Sequence, residues 1–582
     1  MFDLIVRAGM VIDGSGGPAR RADVGIRGGR VAGIGDLRGQ LAEAEIDAQG
    51  CVVAPGFVDI HTHYDPHVLW NPQLTPSSLH GVTTVVGGNC GFSLAPISDT
   101  AAEYLIPMLA RVEGMPLDAL ERGVDLRWSS VAQWLDHVQG ATALNIGFLA
   151  GHSAIRRVVM GERAVGEKAT SQDLDAMCRL LDVSLGEGAL GFSSSWGVAH
   201  SDHRGDPVPS RWADREELLS LCEVVSRHEG TVLEFIPDVG DGWTDRTDDL
   251  LVEMSLTGRR SVNWNVLRVG STEEEQDRTL RRLRSADVAR ERGATVVPLA
   301  MLDPFRLRLS FDSGFVLDSM KGWADLFKLP LSDRLTALSD PAMRQRLREG
   351  ASASVQEVWN DWPRYRVERV GAPSLLSLQG RSIGQIAAER SCDPFGCLLD
   401  VVVEDRGETL FEAPPRDDGE EAWQRRGELL HDERVVLGGS DAGAHLDMIT
   451  TFACHTRLLA EAVRRRRLVG LEQAVRLMTD VPARLYGLHR RGRLLPGWWA
   501  DVVVFDPEVV GPGEVEFVSD LPGGAGRLFS TATGIHHVVV NGVEVARHGA
   551  PIGTCPGRVL RSGRDTVTVP IGRLGAGHGT AS

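Results

Sequence analysis

The segment Pro55-Gly-Phe-Val-Asp-Ile-His-Thr-His63 carries two histidines one residue apart at the exit of a short apolar run. In an extended strand, side chains two apart point the same way, so His61 and His63 present both imidazoles to one point at the strand's C-terminal end. That is metal-ligand geometry. The competing reading is two unrelated polar residues at a strand exit; the apolar strand and the β-rich unit ahead of the pair weigh against it.

The elements that must hold this pair are readable along the chain. Eight apolar runs read as strands: 58–60, 83–86, 145–150, 190–193, 232–236, 261–265, 295–299 and 435–439. Helical patterns interleave them, as in βα units with a parallel sheet. In one, Ser171 is the predicted cap ahead of Leu174, Met177, Cys178, Leu181 and Leu185; in another, Asp214 with Glu217 resembles a capping box. Eight such units are what a (β/α)₈ barrel requires, so the predicted fold is α/β, a TIM barrel over 56–487. More than a hundred residues separate the last two strands, which implies an insertion around 304–430. Short strands with glycine turns in 1–55 return in 488–570, predicting one discontinuous β-sandwich built from both ends. The small polar tail, 571–582, reads as disordered.

Composition narrows the partners. With 42% hydrophobic and 24% charged residues the 582-residue chain is globular. It has no apolar run of about 18 residues to cross a bilayer. A net charge of -17 argues against nucleic acid and anionic membrane and for a small-molecule substrate. Eight dispersed cysteines form no C-x-x-C pair and read as reduced thiols. The acidic N-terminus lacks a secretory pattern, so a cytoplasmic location is expected; a homo-oligomer is compatible with all of this.

The chain resembles the amidohydrolase superfamily and, within it, the N-acyl-D-amino-acid deacylase (D-aminoacylase) family, as a divergent member. The resemblance runs over essentially the full length. It rests on Gly56-Phe-Val-Asp-Ile-His-Thr-His-Tyr-Asp65, Gly87-Gly-Asn-Cys-Gly-Phe-Ser93, Gly186-Glu-Gly-Ala-Leu-Gly-Phe-Ser193, Gly439-Ser-Asp-Ala-Gly-Ala-His445 and Gly497-Trp-Trp-Ala-Asp-Val-Val-Val-Phe-Asp506. Many amidohydrolases bridge two metals with a carboxylated lysine, but the one lysine ahead of the seventh strand, Lys168, lies in a polar loop. The resemblance implies that Cys90, at the end of the second strand, takes that role as a thiolate; a buried inert thiol is the alternative. It also implies that Asp441, after the eighth strand, binds the metal and accepts the proton of the attacking water.

The departures from the family are equally informative. Members carry histidine ligands on the fifth and sixth strands, whereas here these read Thr231-Val-Leu-Glu-Phe-Ile-Pro237 and Ser261-Val-Asn-Trp-Asn-Val-Leu267. Glu234 is a candidate oxygen ligand, and Asn265 is better suited to hydrogen-bonding substrate. The substrate-gripping lysine is also absent; Arg268 is the candidate replacement, with an ordinary loop cation as the alternative. Ser194, the loop His200-Ser-Asp-His-Arg204 and His152 are expected on the same rim, Ser194 toward substrate. The resulting expectation is one well-occupied Zn²⁺ held by His61, His63, Cys90 and Asp441, with Glu234 a possible fifth ligand and a second site doubtful. The reaction is hydrolysis of a C–N bond, of an N-acyl-(D-)amino acid, by metal-activated water with Asp441 as base and acid. Two other readings stand beside it: a cyclic amide, imide or ureide hydrolase or deaminase on the same scaffold, and a metal-poor relative acting as a binding protein.

Overall fold

The computed structural model describes residues 1–239, 242–301, 303–304, 306–312, 314, 316–352, 360–414 and 417–572. The predicted tail 571–582 therefore lies almost wholly outside the described residues.

Parallel strands form where apolar, β-branched runs are bounded by glycine and polar turns, and they fall into two sheets. Phe57–Asp59, Val82–Gly87 and Asn145–Phe148 pair in that order. Ala150–Gly151, Gly191–Ser195, Val232–Ile236, Val262–Arg268, Val296–Met301 and Val436–Leu437 pair in chain order in the second. Leu149 stands between the sheets: its N–H donates to Gly87 O at 3.0 Å, while Leu190 N–H donates to Phe148 O at 2.7 Å. At the other edge Thr62 makes an isolated parallel bridge to Ala442, and His63 N–H donates to Ala442 O at 2.8 Å. Val58, Ile60, Val86, Leu149, Val297 and Val436 from different strands share one buried cluster with Tyr486 and Leu560. Each such aliphatic side chain removed from water contributes about 1.5–3 kcal/mol.

Helices cover the strands with amphipathic faces. The helix Ser171–Gly186 buries Met177, Leu181 and Leu185, but its cap is Thr170 in a capping box with Asp173, one residue ahead of the Ser171 predicted. Asp214 caps Arg215–Val225 by accepting from Glu217 N–H; the Glu217 carboxylate, however, does not turn back to the cap, because it is committed to the buried Arg156 and His152.

Both chain ends meet in one sheet. Phe2–Val11 pairs with Arg20–Arg27, Ala42–Asp47 and Val52–Pro55, and Val52–Pro55 pairs with Val502–Phe505, which leads to Ile535–Val540 and Val543–Arg547. Between the seventh and eighth parallel strands, Arg308–Ser310, Arg366–Arg369 and Leu410–Glu412 form a separate antiparallel sheet. It has its own core around Trp323, Trp362 and Phe395, joined by Met448 and Ile449 from beyond the eighth strand. No helix among the described residues is long and apolar enough to cross a membrane, and no two of the eight cysteines are bonded.

Candidate metal centre

The C-terminal ends of the first, second and eighth strands converge. His61 and His63 exit the strand Phe57–Asp59, and both are buried. Cys90 sits in the turn Gly87–Gly91, held there by a dense set of bonds. Asn89 Nδ2 donates to Thr62 O and Val86 O, Gly88 N–H donates to Asp65 Oδ2 at 2.9 Å, and Ser193 Oγ donates to Gly88 O while accepting from Gly91 N–H. Gly88 has φ +73°, and a Cβ there would lie 2.3 Å from Leu149 O, so only glycine fits. Cys90 itself adopts φ 60°, a left-handed conformation that the surrounding bonds impose.

Cys90 Sγ lies 3.4 Å from His61 Nε2 and 3.8 Å from His63 Nε2, and the three residues have donor atoms within 4.8 Å of one another. Asp441 Oδ1 approaches from the eighth strand, 3.2 Å from His61 Nε2 and 3.7 Å from His63 Nε2. Asp441 is also left-handed, φ 49°, in a turn pressed onto the first strand: at Gly443 a Cβ would come within 2.6 Å of the His63 backbone. Its side chain keeps 23% exposure, the opening through which water reaches the cluster.

The electrostatics are those of a cation site. Burial drives the Cys90 thiol well above its usual value, reinforced by Glu234, Glu113 and Asp441. Burial likewise pushes Glu234 up to about 7 and Glu113 well above the carboxylate range. Asp441 goes the other way, to about 2, because the hydrogen bond and charge of His61 outweigh its burial. Burial opposes protonation of His61, yet the bond to Asp441 and the nearby carboxylates raise it. A thiol and several carboxylates thus crowd one buried volume with two imidazoles between them, and a divalent cation is the group that relieves such crowding. Two imidazole nitrogens, one sulfur and one carboxylate oxygen are also the donor chemistry that suits zinc.

The remaining predicted residues separate into two sets. Glu234 joins the mouth: one carboxylate oxygen accepts Cys90 N–H at 3.0 Å and the other accepts from Asn265 Nδ2, so Asn265 is occupied in fixing Glu234. Arg268, at the end of Val262–Arg268, is exposed, and its backbone carbonyl accepts from Thr279 Oγ1. Ser194 faces away from the Cys90 turn. It lies on the opposite face of its strand from Ser193, and its Oγ is 2.8 Å from His152 Nδ1 in a sealed network that continues to Glu217 and Arg156. His152 belongs to that network too, whereas His200, held by Ser195 Oγ at 2.7 Å and packed on Phe92, stands beside the centre.

Glu113 escaped the sequence reading. It follows the helix Asp99–Val112, is buried, and places Oε1 3.4 Å from His63 Nδ1, while its backbone O accepts from His445 N–H. Nothing in the local sequence marks it, because its role comes from a contact across fifty residues.

A family model described as the amidohydrolase family matches residues 44–546. D-aminoacylase of Alcaligenes xylosoxydans xylosoxydans is 29% identical over 96% of this chain and 97% of its own length. N-acyl-D-glutamate deacylase of the same organism is 30% identical over 96% of each. Among solved structures, N-acyl-D-glutamate deacylase from Bordetella bronchiseptica, complexed with zinc and a phosphonate inhibitor that mimics the tetrahedral intermediate, superposes with TM-score 0.67 at 28% identity, covering 96% of this chain and all of that one. The chain belongs to the amidohydrolase family and is a hydrolase of carbon–nitrogen bonds other than peptide bonds.

Proposed function

We propose that this chain hydrolyses the amide bond of an N-acyl-amino acid of D configuration at the mouth of a closed (β/α)₈ barrel. The observation that carries it is the cluster of His61 Nε2, His63 Nε2 and Cys90 Sγ, with Asp441 Oδ1 3.2 and 3.7 Å from the two imidazoles. Those four residues would hold a single Zn²⁺, with Glu234 beside it. When bound, the cation supplies Lewis acidity to the scissile carbonyl and lowers the pKa of water. Asp441, with a side exposed to solvent, takes the proton of the attacking water and returns it to the departing nitrogen. Cys90 N–H and Asn265 fix the Glu234 carboxylate, and Glu113 sets its carboxyl group 3.4 Å from His63 Nδ1, on the far side of the ring from the cation.

Barrel closure is supported by the bridge from Thr62 to Ala442 and by the shared interior cluster. On that reading the barrel spans 56–487, the segments 1–55 and 488–570 make the satellite β domain, and the insertion around 304–430 caps the connection between the last two strands.

The test is a panel of N-acyl-D-amino acids, their L counterparts and hydantoin-like rings, assayed with measured zinc content. Turnover confined to the N-acyl-D series, with about one zinc bound at the four-residue centre, is the expected result. Turnover of the rings alone overturns the substrate class. Zinc well below one equivalent, with no activity after zinc is added, overturns the hydrolytic centre.

A further inference from the structure

A second group of metal-ligating side chains lies on the sheet built from the two chain ends, separated from the barrel mouth by the strands Val52–Pro55 and Phe57–Asp59. Cys51 precedes Val52–Pro55. His536 and His537 stand in Ile535–Val540, and His548 follows Val543–Arg547, its N–H donating to His536 O at 2.9 Å. Cys51 Sγ is 3.6 Å from His536 Nδ1, and the His536 and His548 rings are 5.1 Å apart.

The centre at the barrel mouth provides a yardstick. There the sulfur-to-nitrogen separations are 3.4 and 3.8 Å and the two rings are 5.3 Å apart. Zinc bound to sulfur at about 2.3 Å and to nitrogen at about 2.0–2.1 Å in tetrahedral geometry sets those ligands about 3.6 Å apart. The Cys51–His536 pair already has that spacing. Among the described residues only His61, His63 and Cys90 have all donors within 4.8 Å of one another, so the outer group needs a turn of the His548 ring, which is exposed and has room to make it. His537 Nδ1 is held by Glu544 at 2.6 Å, and its ring lies 5.5 Å from that of His548. Asp506, whose N–H donates to Gly534 O at the start of the histidine strand, lies near enough to act on both Cys51 and His536 and supplies negative charge.

We propose that Cys51, His536 and His548 form a second, peripheral site for a borderline-soft divalent cation of the Zn²⁺ class, which cross-links the N-terminal segment to the C-terminal hairpin. Binding displaces the Cys51 proton to solvent as the thiolate forms a bond to the cation. The site is independent of the hydrolytic centre: none of its residues touches the mouth.

The untagged full-length chain, its His548→Ala and Cys51→Ser variants and a His536→Ala/His548→Ala double variant are equilibrated with Zn²⁺, and bound zinc is measured by plasma mass spectrometry. The wild type is expected to carry one equivalent more than each variant, with hydrolytic activity unchanged. Zinc addition should also raise the wild-type melting temperature by more than that of the variants. His548→Ala alters an exposed side chain, so it separates metal loss from misfolding. Equal zinc in the wild type and His548→Ala overturns the proposal, as does an identical zinc-dependent rise in melting temperature.

Discussion

The two sides of the candidate centre use similar residues for different ends. On the side of the first, second and eighth strands, His61, His63 and Cys90 aim their donor atoms at one another, with Asp441 against both imidazoles and Glu113 behind His63. On the side of the fourth, fifth and sixth strands, the polar groups are already spent: Asn265 holds Glu234, Glu234 holds the Cys90 turn, and Ser194 is sealed against His152. One half is electrostatically crowded, as a cation site must be; in the other most side chains hold one another, although Asn265 Oδ1 is left unpaired. Buried polar groups cost stability unless paired, so the half that tolerates the strain is the half that binds.

The largest expected break in this comparison comes from Cys90. Cys90→Ala removes the sulfur that both imidazoles face, and zinc bound at this centre is expected to fall below a tenth of wild type with activity at background. Retention of full zinc in that variant would transfer the centre to other ligands. Asp441→Asn strikes the proton path, and a loss of about 10²–10⁴-fold in kcat is expected. A kcat within threefold of wild type removes Asp441 from the chemistry.

A smaller effect follows at Glu113, outside the donor set. Glu113→Gln keeps the size but replaces the carboxyl group facing His63 Nδ1, and a loss of about 10–100-fold in zinc affinity is expected from chelator competition. Glu113→Asp should recover part of that loss, which a purely structural role would not produce. Glu234→Gln probes the satisfied half. Its carboxylate already takes two hydrogen bonds, so zinc content should stay near one equivalent while kcat falls by less than about tenfold; loss of the zinc would make Glu234 a principal ligand.

Much of the architecture was legible because local pattern and tertiary contact agree. The eight apolar runs are all strands, since buried parallel strands demand continuous apolar residues that little else in the chain supplies. The His61/His63 pair was legible for the same reason: a two-residue period determines which way both rings point. The rest depended on contacts that sequence does not encode locally. Glu113 acts across fifty residues. Asn265 looked like a substrate ligand because its partner, Glu234, lies on a neighbouring strand. The capping residue moved from Ser171 to Thr170 because both can cap and only the Asp173 contact decides between them.

Ser194 yields the finest test, because its face of the strand could not be read from the sequence. In Ser193-Ser194-Ser195 all three side chains are polar, so no alternation of apolar and polar residues tells which face each occupies. The structure puts Ser193 against the Cys90 turn and Ser194 against His152. Ser194→Ala therefore strips a partner from a buried imidazole, at a cost of about 1–3 kcal/mol in unfolding free energy, measurable by denaturant titration. KM and kcat should each stay within about twofold of wild type, since the altered side chain is separated from the mouth by its own strand. A raised KM without a loss of stability would mean that Ser194 meets substrate after all, and that the two faces of the fourth strand are the reverse of those described. A loss of stability with unchanged kinetics would instead locate the division between binding half and supporting half within a single run of three serines.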